Sequence, residues 1–452
     1  MTELDQNTSV QEAQIPAAEK PQEPAEFTFL KGSENVTKPK DGQPFNWENA
    51  AGIVRQHLGD ALNARNVSFL FGSGCSSLYK SGKQVGIPTM KPMAEAFLSN
   101  IGADDKSEFI SQSERDALKN LIGLDVANKD YAANLERLME VLFSIEKVLK
   151  NNKNDDLSKL SPIVKTVIRK LMRYVLKCCT KGAFSENDDS VLNLYQSFYQ
   201  KLIFRDRALP RPWVFTTNYD LFSETAMDRR GIPYCNGFIG SIERSFNPTV
   251  FRYSLAEQLD ITSRKWSAVD SFVYLCKLHG SVNWVEEGKT LFPIREMQIP
   301  PDNQDTRVLI YPTPAKQNAS FASPYSDLFR EFQGRIVRDQ SVLVTVGYSF
   351  GDEHINNIIF QALTVPNFRL IAFLDPSAPD VPQQLRELGD PRVWMIGGGG
   401  LTANDRAHYF NTFVEKFMPV PPANKIDSAV SKVLETLISR PKPDGGDDNG
   451  VG

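Results

Sequence analysis

The chain has few cysteines and none of the cysteine spacings that bind metal. Its 452 residues include five cysteines, and no two of them form a C-x-x-C pair. We therefore expect no bound metal and no structural zinc ribbon. The odd number and the irregular spacing also favour reduced thiols in a cytoplasm over a disulfide framework.

Long apolar runs and a strong net charge are missing as well. No apolar stretch approaches the roughly 20 residues that a membrane-spanning helix needs. The first residues, MTELDQNTSVQEAQ, lack the apolar core of a secretory signal. The net charge of −4 gives no global signal for binding nucleic acid or a membrane surface. We expect a cytoplasmic protein with no membrane contact and no evident contact with nucleic acid.

The two ends of the chain differ in composition from the rest. Residues 1–43 are rich in Glu, Gln, Pro and Lys and poor in large apolar side chains, and residues 441–452 read the same way. Such segments bury too little apolar surface to offset the conformational entropy that ordering costs. We predict disordered tails over these ranges and a folded domain over residues 44–440.

Short apolar runs alternate with helical patterns in the folded part. Most of the runs are apolar on both faces, which is typical of parallel strands covered by helices. The runs span residues 67–71, 213–217, 272–278, 307–311, 341–347, 370–375 and 392–397. Helical spacing over 321–338, 353–363 and 405–417 separates several of them. The alternation predicts an α/β fold with a doubly wound, mostly parallel, Rossmann-like sheet.

Residues 91–205 show no strand pattern. Two segments, 131–150 and 161–179, are strongly amphipathic with helical spacing, and we predict a helical insertion in the sheet domain. The stretch from Lys147 to Lys181 is locally basic. A solvated helix face explains this charge, and a surface that contacts phosphate or a partner is the alternative.

A glycine turn follows the first predicted strand. Gly72, Ser73, Gly74, Cys75 and Ser76 come directly after the apolar run VSFLF. Glycines there let backbone N–H groups approach a phosphate closely, and a helix beginning there would favour negative charge. The alternative is an ordinary tight turn, with Cys75 as a small packed side chain rather than a reactive thiol.

Polar side chains also follow four later strands of the predicted parallel sheet. The carboxyl ends of such strands are where α/β proteins place their chemistry. A histidine at such an end is either a general base or a hydrogen-bonded structural residue. Asn and Asp there either cap the next helix or hold ribose hydroxyls or water. The residues concerned are Thr217, Asn218 and Asp220; His279; Gly347, Ser349, Gly351 and Asp352; and Asp375.

These segments, in this order, resemble the sirtuin family. The glycine turn with GIP at 86–88 looks like the family's GAGxS…GIP signature. TTNYD resembles TQNID, KLHGS resembles the segment around the family's catalytic histidine, and VGYSFGD resembles GTSL. The resemblance covers roughly residues 66–377, with the helical insertion as a gap. It implies NAD binding and cleavage of the bond between nicotinamide and ribose.

The resemblance also implies a role for each strand end. His279 would be the base toward a ribose hydroxyl or water, and Asn218 would orient the ribose and the nucleophile. Gly72, Ser73 and Gly74 would line the pyrophosphate, and Asp375 would hold the adenine ribose. Gly347 and Ser349 would hold phosphate or ribose. Cys75, Ser76, Thr217, Asp220 and Asp352 complete the predicted NAD-binding set.

Three departures from the family's pattern refine the expectation. The chain lacks the two C-x-x-C pairs of sirtuin deacylases, GIPDFR reads GIPTMK, and a helical insertion replaces the small domain. These features look like the zinc-less sirtuin-like NAD hydrolases of bacterial antiphage defence. Those proteins are typically oligomeric and kept inactive until a partner or an infection signal releases them. The resemblance implies a homo-oligomer with a separately encoded activator, such as a HerA-type ATPase or a short Argonaute.

Two other functions stay open at this point. The chain could be a protein deacylase or ADP-ribosyltransferase, although the missing cysteine pairs weaken the deacylase interpretation. It could also be a module that senses NAD or ADP-ribose without turnover. The presence of both Asn218 and His279 argues against that module, because binding alone needs no base.

Overall fold

A computed structural model describes thirteen parts of the chain. They are residues 25–39, 43–80, 82–99, 108–128, 131, 134–150, 155–181, 188–260, 265–287, 293–298, 307–309, 323–402 and 404–419. Residues 1–24 of the predicted N-terminal tail (1–43) and the whole predicted C-terminal tail (441–452) lie outside these residues.

Helices and strands alternate through most of the described chain. The helices are α1 Trp47–Ala61, α2 Met90–Ser99, α3 Gln112–Ile122, α4 Leu135–Lys150, α5 Asp155–Lys181, α6 Ser190–Leu202, α7 Phe222–Arg230, α8 Tyr325–Ile336, α9 Glu353–Leu363, α10 Val381–Glu387 and α11 Phe410–Thr412. The strands are β1 Phe27–Lys31, β2 Glu34–Asn35, β3 Asn66–Phe71, β4 Ser77–Lys80, β5 Lys83–Gly86, β6 Trp213–Thr216, β7 Tyr234–Cys235, β8 Phe238–Ile239, β9 Arg244–Phe246, β10 Ala256–Asp260, β11 Lys265–Ala268, β12 Val273–Lys277, β13 Gly280–Glu286, β14 Ile294–Glu296, β15 Arg307–Leu309, β16 Ser341–Val346, β17 Arg369–Phe373 and β18 Val393–Gly398.

A nine-stranded sheet organises the molecule in the order β2-β1-β18-β17-β16-β3-β6-β12-β7. The strands from β18 to β7 pair in parallel, and β1 and β2 are antiparallel additions at one edge. The chain runs outward from β3 to β6 and β12, then returns to β16 on the other side of β3. The predicted doubly wound α/β fold is confirmed, and its topological switch point lies between β3 and β16.

Apolar residues on both faces of the sheet explain why its strands read as continuous apolar runs. Along β3, Phe69 and Phe71 belong to one buried cluster, whereas Leu70 belongs to the cluster on the opposite face. The first cluster includes residues of α1, α6 and the insertion helices, and the second includes residues of α8 and α9. Each inner strand is therefore covered twice, as a parallel sheet requires.

The N-terminal tail ends earlier than the sequence predicts. Residues 27–31 form β1, which pairs antiparallel with β18 at the sheet edge. Phe27 and Phe29 are buried, and the Phe27 ring lies 5.3 Å from that of Trp47. Two phenylalanines at alternate positions give this strand an apolar face that packs in the core while its backbone pairs with β18. The polar composition of the predicted 43-residue tail conceals them in the sequence.

The strand predicted at 307–311 belongs to a different sheet. Arg307–Leu309 pairs antiparallel with Gly280–Glu286 in a five-stranded sheet of order β15-β13-β14-β9-β8. An apolar run fits a buried strand of either the nine-stranded or the five-stranded sheet. Only the strand with which it pairs shows to which sheet it belongs. The helix predicted over 405–417 is also shorter, because Phe410–Thr412 is followed by a π-helical turn at Phe413–Phe417.

The described part of the insertion is helical, as predicted, and packs against the rest of the domain. Its apolar residues join the same buried cluster as the sheet. Within the basic stretch, Lys170 pairs with Glu114 and Lys177 pairs with Glu108. These pairs neutralise part of the local charge.

Among the described helices, none combines the length and the apolar content that a membrane crossing requires.

Candidate functional site

A cleft of about 370 Å³ opens at the carboxyl ends of the central strands. Strand ends from β3, β6, β12 and β16 meet there, because parallel strands all finish at the same edge of a sheet. Ten of the thirteen residues predicted from the sequence line the cleft. They are Gly72, Ser73, Ser76, Thr217, Asn218, Asp220, His279, Gly347, Ser349 and Asp352. Gly74, Cys75 and Asp375 are not among the lining residues.

Glycines cross at the switch point between β3 and β16. A Cβ on Gly72 would lie 2.3 Å from the carbonyl oxygen of Gly347, and a Cβ on Gly74 would lie 2.8 Å from the Cα of Gly347. Gly347 itself has a φ of 62°, a conformation that favours glycine. The two loops can approach this closely only because these side chains are missing. The crossing forms a backbone cradle at the base of the cleft.

The glycine turn is followed by a strand and not by the helix start that would favour an anion. Ser73–Ser76 is one 3₁₀ turn, and β4 begins at the next residue. The backbone N–H of Gly74 donates to the carbonyl of Gly347 at 3.0 Å, and that of Cys75 donates to Gly72 at 3.0 Å. Burial raises the pKa of the Cys75 thiol, which donates to the Val346 carbonyl. Gly74 and Cys75 thus hold the turn together.

Asn218 connects the end of β6 to the glycine turn. Its Nδ2 donates to the Gly72 carbonyl and to Ser76 Oγ, both at 2.9 Å. Its backbone N–H donates to Thr216 Oγ1 at 3.0 Å. None of the described residues donates to its Oδ1. The side chain is therefore held by its amino group, and the amide oxygen is left for a ligand hydroxyl or a water.

Ser76 and Asp220 hold Asn218 in place through a chain of hydrogen bonds. Ser76 Oγ donates to Asp220 Oδ2 at 2.7 Å and lies 3.2 Å from the hydroxyl of Tyr195. The other oxygen of Asp220 accepts from the backbone N–H of Phe222 at 3.0 Å. Both carboxylate oxygens thus have protein donors, and Asp220 is buried. This arrangement suits a residue that fixes the geometry of the cleft.

His279 and Asp352 form the second polar pair of the cleft. His279 Nε2 lies 3.1 Å from Asp352 Oδ2. The two atoms are not aligned for a hydrogen bond, and Nε2 is buried without a hydrogen-bond partner in the described part of the chain. Asp352 Oδ1 accepts from the backbone N–H of Ile355 and caps α9. The helix cap thus holds the carboxylate beside the imidazole, ready to orient the ring when a ligand is bound.

Lys277, two residues before His279, is a supporting residue that the sequence analysis missed. It is buried, and its Nζ donates to the carbonyl of Asp220, to Glu224 Oε1 at 3.0 Å and to Ser281 Oγ at 2.8 Å. The amine therefore joins the loop after β6 to the start of β13. The available signal was a lysine inside an apolar strand, since a charge there needs buried partners.

The helical insertion supplies the apolar wall of the cleft, which the sequence analysis also missed. Side chains from α2, α4 and α5 line it opposite the polar strand ends. They are Met90, Met93, Leu135, Met139, Val175 and Cys179. A polar floor facing an apolar wall suits a ligand with flat rings and several hydroxyl or phosphate groups.

Asp375 lies at the end of β17, in a separate polar cluster. Its Oδ1 accepts from the backbone N–H and the hydroxyl of Ser377, at 2.9 Å and 2.7 Å. These hydrogen bonds lower the pKa of the Asp375 carboxyl. Burial lowers the pKa of nearby His408 to about 4, so this histidine is neutral at physiological pH. The predicted contact of Asp375 with an adenine ribose stays a prediction.

A known family is similar to the part of the chain that contains most of the predicted residues of the cleft. Residues 212–390 match the family model of the SIR2-like domain. The matched range contains Asn218, His279, Asp352 and Asp375, whereas the glycine turn and the helical insertion lie outside it. No curated protein matches the chain. The chain therefore contains a SIR2-like domain over residues 212–390, which indicates an NAD-dependent enzyme on a Rossmann-like α/β fold.

Proposed function

We propose that the protein is an NAD hydrolase that cleaves the nicotinamide–ribose bond. The observation that carries the proposal is the meeting of Asn218 and His279 in one cleft, beside the glycine crossing of Gly72 and Gly347. Because Gly72 and Gly347 have no side chains, a pyrophosphate can lie directly against the backbone of this crossing. His279 Nε2 lies beside the Asp352 carboxylate but makes no hydrogen bond within the described residues, and the Asn218 amide oxygen accepts none there, so both groups are available to a bound ligand.

The reaction consumes one water for each NAD. Water adds at C1′ of the ribose, the C1′–nicotinamide bond breaks with its electron pair going to nicotinamide, and ADP-ribose and a proton are released. His279 takes the proton from the water, or from a ribose hydroxyl that leads to it. Asn218 holds the ribose and the nucleophile in line through its amide oxygen. Asp352 orients the imidazole and stabilises its protonated form.

The apolar wall has a place in the same mechanism. Methionines from α2 and α4 line the cleft, and we assign them to cover the ring end of the dinucleotide when it binds. Excluding bulk water there strengthens the polar contacts of the floor and leaves one positioned water to react. In this proposal, the apolar wall from the insertion covers the reacting centre and keeps bulk water out of it.

We expect the purified full-length protein, alone or with its activator, to convert NAD to nicotinamide and ADP-ribose in equal amounts. Chromatography of the products over time, with and without an acetylated peptide, measures this. The rate of NAD loss should be the same in both reactions. O-acetyl-ADP-ribose formed faster than ADP-ribose would replace the proposal with a deacylase, and peptide labelled with ADP-ribose would replace it with a transferase. Saturable NAD binding without product would indicate a sensing module.

We further propose a cytoplasmic role in antiphage defence, as a homo-oligomer activated by a separately encoded partner of the HerA-type ATPase or short Argonaute kind. The resemblance to zinc-less sirtuin-like NAD hydrolases supports this. The insertion offers a surface for such contacts, because Leu121 and Val148 are 48% and 64% exposed on α3 and α4.

Light scattering tests the contribution of the insertion to assembly. The wild-type chain should give a multiple of the monomer mass, and Leu121→Asp with Val148→Asp should lower it. Leu388→Asp is the matched control, since Leu388 is 56% exposed outside the insertion. A monomeric wild type, or a mass unchanged in the double variant, would exclude this surface as the contact.

A further inference from the structure

A second pocket, of about 420 Å³, lies at the opposite edge of the central sheet. It forms where β3, β6 and β16 begin, and the end of α8 closes one side. Its lining includes Asn66, Ser68, Trp213 and Gln340 together with four arginines. Those arginines are Arg65, Arg211, Arg335 and Arg338. None of these residues takes part in the cleft described above.

The charge of this pocket is unbalanced. Asp339 is the one carboxylate among the residues that line it, against four guanidinium groups. Arg335 pairs with Glu331 at 3.0 Å. For Arg65, Arg211 and Arg338, no carboxylate of the described chain lies within ion-pair distance. Clustered cations without counter-charges repel one another, and a bound anion would remove that repulsion.

Two of the arginines are held rigidly at the pocket wall. The Arg211 guanidinium donates to the backbone carbonyls of Asp270 at 2.5 Å, of Leu209 at 2.7 Å and of Arg207 at 2.9 Å. The Arg335 guanidinium donates to Glu331 and lies 4.1 Å from the centre of the Trp213 ring. These two side chains therefore contribute fixed positive charge to the wall more than free donors.

The other two arginines stand at the rim. Arg65 and Arg338 are both exposed, one before β3 and one after α8. Burial, with a smaller contribution from the neighbouring Arg335, lowers the pKa of Arg338. The rim residues can close on a ligand, whereas the wall residues are already in position.

We propose that this pocket binds a ligand with several adjacent phosphates, such as a nucleoside triphosphate. Arginine binds phosphate oxygens in pairs through its planar fork, and the forks of Arg65 and Arg338, in front of the fixed charge of the two wall arginines, match a chain of phosphates better than a single anion. The Gln340 amide and the Ser68 hydroxyl add neutral hydrogen-bonding groups to the same wall. The pocket is as large as the catalytic cleft, so a molecule of nucleotide size is in proportion to it.

Calorimetric titration of the full-length protein tests this, with ATP, inorganic triphosphate and orthophosphate as separate probes. ATP and triphosphate should bind, and orthophosphate should bind much more weakly. Equal affinity for ATP and triphosphate would assign recognition to the phosphates alone, whereas tighter ATP binding would show that the nucleoside contributes. No binding of ATP or triphosphate would overturn the proposal.

Variants locate the binding in the pocket. Arg65→Gln with Arg338→Gln should weaken ATP and triphosphate binding by tenfold or more, on the order expected for losing charge-assisted hydrogen bonds. Arg330→Gln is the matched control, since Arg330 lies on α8, the helix that precedes Arg338, is 73% exposed and pairs with Asp327 outside the pocket. Unchanged binding in the double variant would overturn the proposal, as would equal weakening in the control. Loss of binding to a single-stranded oligonucleotide in the double variant, with no ATP or triphosphate binding in the wild type, would replace the proposal with a nucleic-acid surface.

Discussion

Replacing His279 with alanine is expected to reduce NAD cleavage by about 10²- to 10⁴-fold, the usual contribution of a positioned general base. The variant should stay folded, because the Asp352 carboxylate that loses its contact with the imidazole keeps its hydrogen bond from the backbone N–H of Ile355. The measurement is turnover per folded molecule, together with the melting temperature. NAD binding should persist, since the cradle at Gly72 and Gly347 is untouched.

The matched control for this variant is His57→Ala. His57 lies on α1, where it packs against Phe29 and Trp394 away from the cleft. Its removal should lower the melting temperature and leave turnover per folded molecule unchanged. If His279→Ala behaved in the same way, with lower stability and full activity, then His279 would be a structural residue and the chemistry would lie elsewhere.

Two further variants test how His279 is supported. Asp352→Asn tests the orientation of the imidazole, and Asn218→Ala tests the positioning of the ribose and the water. Asparagine caps a helix about as well as aspartate, so Asp352→Asn should keep α9 in place while removing the charge beside His279. We expect lower kcat, little change in KM and a shifted pH profile. Asn218→Ala should reduce turnover about as much as His279→Ala, because a misplaced ribose or water cannot use the base. An unchanged pH profile in Asp352→Asn would contradict the orienting role of the carboxylate.

Lys277→Met is expected to destabilise the protein by about 3–5 kcal/mol, the typical cost of breaking a buried ion pair by removing one partner. The change leaves the Glu224 carboxylate buried without its ammonium and removes the donors that hold the Asp220 carbonyl and Ser281. Urea unfolding near pH 8 measures the loss. Lys119→Met is the control, because Lys119 and its partner Asp125 are both exposed and their pair should contribute little.

The destabilisation should depend on pH through Glu224. Burial raises the pKa of this carboxyl above its usual 4.5, so the folded protein holds the proton more readily than the unfolded chain. The free energy of unfolding therefore falls as pH rises above about 4.5, and more steeply once Lys277 is gone. Lowering the pH from about 8 to 5 should recover part of the loss in Lys277→Met. Adding Glu224→Gln to Lys277→Met should recover part of the lost stability at pH 8 as well, because no buried charge then remains unpaired.

An equally stable Lys277→Met variant at pH 8 would show that the pair contributes nothing. A loss that is the same at both pH values would assign the effect to packing and to the lost carbonyl hydrogen bonds. Turnover of the double variant gives a further readout. Without the amine, the loop after β6 loses its link to the start of β13, and kcat should fall even where stability is restored.

The chain's own sequence determined the parallel sheet and the strand ends that meet in the cleft. Strands covered on both faces must be apolar throughout, so VSFLF and SVLVTV stand out without any knowledge of their neighbours. Because parallel strands finish at one edge, Gly72, Asn218, His279 and Gly347 could be placed together from their position after such runs.

Only the tertiary structure decided how these residues are supported and what surrounds them. Asp352 beside His279, Lys277 beneath the Asp220 loop and the apolar wall from the insertion are contacts between segments far apart in the chain. No local pattern encodes them. The same holds for β1, whose two phenylalanines need β18 and Trp47 to be buried, and for the arginine pocket, whose members come from three separate segments. Sequence periodicity reports the face on which a residue lies, whereas the identity of the partner across that face is a property of the packed fold.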